Sequence, residues 1–176
     1  PSVETSLHDA IDYPFVAHTH PTAVNGLLCS VNAEKTVREL FADEALYVPY
    51  TDPGYTLFKL VRERIERYRN EHGRVPAVIL LQNHGIFVGA DSVEEVEALH
   101  DKVVATVREK IREAPDRTEL SAPAGLEKIL PALRMILSRD SLKVLRYRRN
   151  CLIESFSASA EVFEKVSLPF TPDHIV

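Results

Sequence analysis

Tryptophan is absent, methionine occurs once, cysteine twice and glycine six times in 176 residues. The two cysteines, Cys29 and Cys151, lie far apart in apolar or mixed surroundings, without CxxC or CxxCH spacing. That excludes a disulfide scaffold, a thiolate zinc site and covalent haem attachment. Both are expected to be buried thiols in a reducing compartment. No run approaches the roughly 18 apolar residues of a membrane span, and the N-terminus lacks the pattern of a signal peptide, so the expected location is the cytoplasm. Basic clustering is missing as well: no run of Lys/Arg exceeds Arg148-Arg149, and the formal net charge is -5. Neither nucleic acid nor an anionic membrane is therefore an expected partner.

What is present is 45% hydrophobic and 27% charged residues, the make-up of an ordinary globular domain. A chain of this length buries about 70% of its unfolded surface and needs no metal to hold a core together. A metal here would serve chemistry rather than folding. The chain begins at Pro1 and ends at Val176 after a strand-like His174-Ile175, and it reads as a piece of a longer protein.

Hydrophobic period and breakers give alternating elements. A short helix is expected over 6–12, then an extended run at 15–18 that ends at His20-Pro21. Pro21 suits the first turn of a helix over 22–31. Further helices are expected over 33–42 and from Leu57 through Arg67, where Leu57, Leu60, Val61 and Ile65 share one face. A strand is expected at 46–48. The most apolar segment, 78–81, reads as a strand buried on both faces, and Ile86-Phe87-Val88 follows as another. Asp91-Ser92 with Glu94 and Glu95 reads as the start of a long helix reaching about Arg112. Residues 114–123, with Pro115 and Pro123, read as a linker. Beyond lie a helix at 126–137, strands at 143–147 and 151–155, and a last helix after Ser157. The alternation implies an α/β or α+β layered domain around one sheet.

Of seven histidines, three stand where a site is expected. His18 and His20 are two apart at a strand end, so both imidazoles can face one ion while Thr19 faces away. His84 ends the most buried strand, just before a glycine, and ligands collect at strand ends in open α/β sheets. Three imidazoles with a fourth position open would make a catalytic zinc site. Gly85 lets the backbone turn sharply or approach a ligand closely. Such a site needs a proton acceptor, and Glu4 stands just before the first helix. His8 reads as a helix-surface residue or a neighbour of the site, His72 and His100 as structural, and His174 stays undecided.

The segments P-S-V-E-T at 1–5, H-T-H-P at 18–21, V-P-Y at 48–50 and Q-N-H-G at 82–85, in this order, resemble the class II aldolase/adducin family. Its members include fuculose-phosphate and rhamnulose-phosphate aldolases and ribulose-phosphate 4-epimerase. The resemblance covers residues 1–100, while 168–176 resembles the end of the aldolase part of two-part proteins that continue into a short-chain dehydrogenase. It implies an α/β fold, a three-layer α/β/α domain with a central, mainly antiparallel sheet, assembled as a homotetramer with sites near subunit contacts. Residues 1–176 would form one such domain, truncated at its N-terminus, with 114–176 packed on the core or leading to a further domain. It also implies that His18, His20 and His84 hold zinc or another divalent metal and that Glu4 is the catalytic acid/base.

The implied activity is zinc-dependent cleavage of a ketose 1-phosphate, so the expected partner is a small sugar phosphate. A pentulose 5-phosphate epimerase and a non-catalytic adducin-like module are the alternatives. Glu4, where the epimerases tend to have aspartate, favours cleavage; the three retained histidines weigh against the module. The family's phosphate-binding segment lies upstream of P-S-x-E, so no phosphate ligands are assigned. Tyr50 and Tyr55 are candidates for a tyrosine proton donor, though a surface or core aromatic is the preferred reading of both.

Overall fold

The architecture follows from two strands that are apolar on both faces. The computed structural model describes residues 4–169 and places them in two compact units, one containing residues 4–112 and the other 113–168. In the first, β3 (Val78–Leu81) and β4 (Gly85–Ala90) are buried at every position, so both of their faces must be covered. They pair antiparallel, Leu81 opposite Gly85 and Val78 opposite Val88. The edge strand β1 (Phe15–Thr19) adds antiparallel to β4, and β2 (Leu46–Val48) adds parallel to β3, giving the order β1-β4-β3-β2. The sheet is mainly antiparallel, as expected.

Side chains alternate across a strand, and the core divides accordingly. Ile79, Leu81 and Phe87 pack with Leu7 and Ile11 of the α1 (Thr5–Asp9) region and with Leu57, Val61 and Ile65 of α4 (Tyr55–His72). Val78, Leu80, Ile86 and Val88 pack on the other side against Val24 and Leu28 of α2 (Thr22–Leu28), Val37 and Phe41 of α3 (Ala33–Phe41), and Val103, Val104 and Val107 of α5 (Val93–Arg108). Helices therefore cover both faces, which is the three-layer α/β/α arrangement. The Ser92 side chain caps α5 by accepting from the Glu95 amide at 3.2 Å, and the Glu95 carboxylate accepts from the Asp91 amide at 3.2 Å. This is a capping box displaced by one donor. No described helix is long and apolar enough to cross a membrane.

The second unit corrects two expectations. Residues 143–147 are not a strand and 151–155 are helical, within α7 (Cys151–Ser157); α6 (Leu126–Leu137) and α8 (Ala160–Glu164) are as expected. The Asn150 side chain accepts from the Ile153 amide at 2.8 Å, a cap that selects helix for the segment after it. Alternation in 143–147 finds no neighbouring strand, and Val144 is 90% exposed. The cysteines differ from expectation too, since both are only half-buried. Burial raises the pKa of the Cys29 thiol, and a hydrogen bond to Asp116 raises that of Cys151, so neither is an activated nucleophile.

Leu80 is 0% exposed and Val31 is 100% exposed. Leu80→Ala should therefore lower stability by about 2–5 kcal/mol, whereas Val31→Ala should stay within about 0.5 kcal/mol. Urea denaturation of the two variants beside the parent checks both.

Candidate metal centre

The β1–β4 register builds the site. His18 lies opposite Phe87 and Thr19 opposite Ile86, so the C-terminal end of β1 meets the β3–β4 turn that carries His84. The His18 ring stacks on Phe87, with centroids 4.0 Å apart and an interplanar angle of 15°, which fixes its plane from one side. Its Nδ1–H donates to the Ile86 carbonyl at 2.8 Å. The tautomer follows: Nε2 carries the lone pair, and that atom lies 2.9 Å from His20 Nε2 and 3.3 Å from His84 Nε2.

Glu4 closes the group. At the start of α1, its Oε1 lies 3.2 Å from His84 Nε2 and 3.3 Å from His18 Nε2. The ligand atoms of Glu4, His18, His20 and His84 all fall within 4.8 Å of one another. His84 is 6% exposed, and the His18 and Glu4 side chains 5% and 28%. The centre is thus sunk beneath the surface at His18 and His84 and more open at Glu4 and His20.

The donor set fits a divalent cation. Imidazole nitrogens bonded at about 2.0–2.1 Å around a tetrahedral ion stand roughly 3.3 Å from each other, close to the spacings observed. Burial, the largest cause, and the neighbouring imidazoles push the His18 pKa down to about 4, against the opposing pull of the Ile86 carbonyl and Glu4. The ring is therefore neutral near pH 7 and offers its lone pair. Three imidazole nitrogens and a carboxylate oxygen aimed at one point repel unless a proton or a cation lies among them.

Gly85 is needed for a reason specific to the site. A Cβ there would overlap the Cδ2 atom of His20, lie 2.6 Å from the Thr19 carbonyl oxygen and 3.1 Å from His20 Nε2. The His20 ring occupies the space a side chain would take, so the close approach read from Q-N-H-G is made by a histidine of H-T-H-P. Asn83 turns the chain before it with a φ of 56°. Gln82 accepts from the Tyr50 amide through Oε1 at 3.0 Å, tying the segment after β2 to the same turn.

Other histidines sort as follows. His8 packs edge-on against Phe87, with centroids 5.2 Å apart, and its ring also lies 6.4 Å from that of His18. His72 lies against Tyr68 at 4.4 Å, and His100 hydrogen-bonds Thr19. His174 lies outside the described residues. Tyr50 and Tyr55 are 51% and 73% exposed, in keeping with surface aromatics. Sequence reasoning missed Phe87 as the platform for His18; the signal available was a large aromatic three residues after His84 in a buried strand.

A three-layer domain that gathers three imidazoles near its strand ends, with a carboxylate from the start of α1 beside them, defines a class II aldolase-type domain with a group that could hold a metal. The comparisons agree. The family model for the class II aldolase and adducin N-terminal domain matches residues 1–108, and the chain belongs to that family. It is 26% identical over 193 residues to the uncharacterized oxidoreductase YuxG of Bacillus subtilis (strain 168), covering 100% of this chain and 27% of that protein. Among solved structures it resembles the N-terminal class II aldolase domain of a conserved protein from Thermoplasma acidophilum. The TM-score is 0.52 at 28% identity, covering 64% of this chain and 49% of the other. The chain thus spans about a quarter of the Bacillus relative and half of the Thermoplasma one.

Two outcomes follow from the geometry. Gly85→Ala should displace the His20 ring and weaken metal binding at least about tenfold, read by competition titration with a chelator, while unchanged affinity would contradict the packing argument. In the metal-free chain, stability should fall as pH drops from 6.5 toward about 4, because the unfolded chain takes up a proton that His18 refuses in the fold. His18→Phe should flatten that part of the urea-stability profile by about one proton.

Proposed function

We propose that this chain is a zinc-dependent aldolase that cleaves a ketose 1-phosphate, such as rhamnulose or fuculose 1-phosphate, into dihydroxyacetone phosphate and an aldehyde. The single observation that carries the reading is the convergence of His18, His20 and His84 Nε2 with Glu4 Oε1. In it, the three histidines are the metal ligands and Glu4 is the acid/base. A divalent metal bound there supplies Lewis-acid polarisation of the substrate's carbonyl and hydroxyl oxygens and offsets the negative charge that develops as the carbon–carbon bond breaks.

The chain's own residues do the rest. His18 is held neutral and in one tautomer by the Ile86 carbonyl, and the Phe87 ring keeps it from tilting. Buried His84 fixes the floor of the centre. Glu4, the carboxylate at its open side, takes the proton given up by the hydroxyl on the carbon that becomes the aldehyde and delivers it to the ketone fragment, where the electron pair of the broken bond is left. In the condensation direction its Oε1 takes that proton back. Support for aldol cleavage over epimerisation comes from a glutamate rather than an aspartate at position 4.

The reading extends to assembly and context. The active form would be a homotetramer in the cytoplasm. Residues 113–168 would belong to the aldolase-like part, since the Bacillus relative matches along 100% of this chain. That part would sit within a longer protein, of which a dehydrogenase is the expected remainder.

His18→Ala and His84→Ala should each lose zinc and cleavage together, measured by elemental analysis and by release of dihydroxyacetone phosphate. One zinc per chain in both variants would sink the assignment. Glu4→Gln should keep the metal and lose about 10²–10⁴-fold in turnover; loss of the metal instead would make Glu4 a required ligand.

A further inference from the structure

We infer that His100 is a positioning residue for the metal centre, acting through Thr19 from the opposite face of the sheet. The inference rests on the reading of His18, His20 and His84 as metal ligands. Two of those ligands come from β1, or from the residue just past it, and β1 is an edge strand hydrogen-bonded only to β4 among the described strands. An edge strand has no second ladder to hold its end. Its last residue is Thr19, between the two ligands, where movement would carry both imidazoles with it.

Thr19 has its side chain on the face opposite His18. Its cross-strand partner Ile86 belongs to the core under α2, α3 and α5, whereas His18 stacks on Phe87 in the core under α1 and α4. From that reverse face, α5 presents His100, whose Nε2 is hydrogen-bonded to Thr19 Oγ1 at 3.0 Å. The bond spans 81 residues of sequence and is partly buried, so it is made in a setting where a lost partner is costly. The other ring nitrogen lies 3.6 Å from the Asp101 carboxylate. Helix α5 is itself anchored by Val103, Val104 and Val107 in the core. The consequence is a rigid strut: a packed helix holds the free edge of β1 at the residue that sets the His18-to-His20 spacing. The tolerance there is small, because Gly85 leaves just enough room for the His20 ring and the Thr19 carbonyl.

The test measures metal affinity rather than turnover. Zinc dissociation constants would be obtained by competition titration for the parent chain, His100→Leu, His100→Gln, Thr19→Val and the double variant His100→Leu/Thr19→Val. The Gln amide can donate or accept, so it can replace either tautomer of His100. His100→Leu and Thr19→Val should each bind zinc about tenfold more weakly, the low end for outer partners of metal ligands. His100→Gln should recover most of the loss, and the double variant should be no worse than either single one.

The visible spectrum of the cobalt-substituted protein should shift in His100→Leu and return toward the parent in His100→Gln. Parental affinity in both His100→Leu and Thr19→Val, or losses that multiply in the double variant, would overturn the strut. A His100→Gln variant as weak as His100→Leu would do the same, since a merely space-filling role would not distinguish the polar replacement. A parent chain that takes up no zinc would instead overturn the metal-centre reading beneath it, and is separated from the other results by appearing before any substitution is made.

Discussion

Everything at the centre depends on one register, the pairing of β1 with β4 that sets His18 against Phe87 and Thr19 against Ile86. A slip of one residue would turn His18 to the far face. It would break the bond to the Ile86 carbonyl and take His18 away from His84. The two cores claim alternate residues of β3 and β4, and Val16 of β1 packs against the one under α1 and α4. Stability and site geometry are therefore one problem in this fold. The apolar side chains that close the core also decide where three imidazoles point.

Burial gives the site its chemistry as well as its place. In water an imidazole gains and loses a proton near pH 6.5, but the sunken position of His18 pushes its pKa to about 4. The ring stays neutral in the ordinary working range, and the carbonyl of Ile86 decides which nitrogen carries the hydrogen. His18 thus holds a lone pair ready rather than a charge to be stripped. Glu4 brings the only negative charge among the four groups, from the more open side. In the proposed function that ordering, with His18 and His84 sunk and Glu4 more accessible, would let one small site both hold a cation and move a proton.

Much of this was legible in the sequence because local signals and tertiary demands agree. Val78–Leu81 reads as a doubly buried strand, and Ser92 with Glu95 reads as a helix start; the fold uses both. H-T-H-P and Q-N-H-G are short, but their chemistry is unusual enough to mark them. The failures lie where a local pattern had no partner to meet. Val144 and Tyr147 sit in a strand-like stretch with no adjacent strand to pair with, and they remain exposed. The 151–155 segment is apolar enough for either element, and the Asn150 cap decides for helix. The stacking of His18 on Phe87, and the contact of His20 with Gly85, could not be read in advance, because each joins residues more than sixty positions apart.

The central claim is that three imidazoles of this chain take one metal ion together. X-ray absorption spectroscopy of the zinc-loaded protein measures that coordination shell directly. Coordination by His18, His20 and His84 gives a shell of nitrogen and oxygen at about 2.0–2.1 Å, with outer-shell scattering from three imidazole rings and no sulfur. A shell with one imidazole or none, or a zinc–sulfur distance near 2.3 Å, would contradict it.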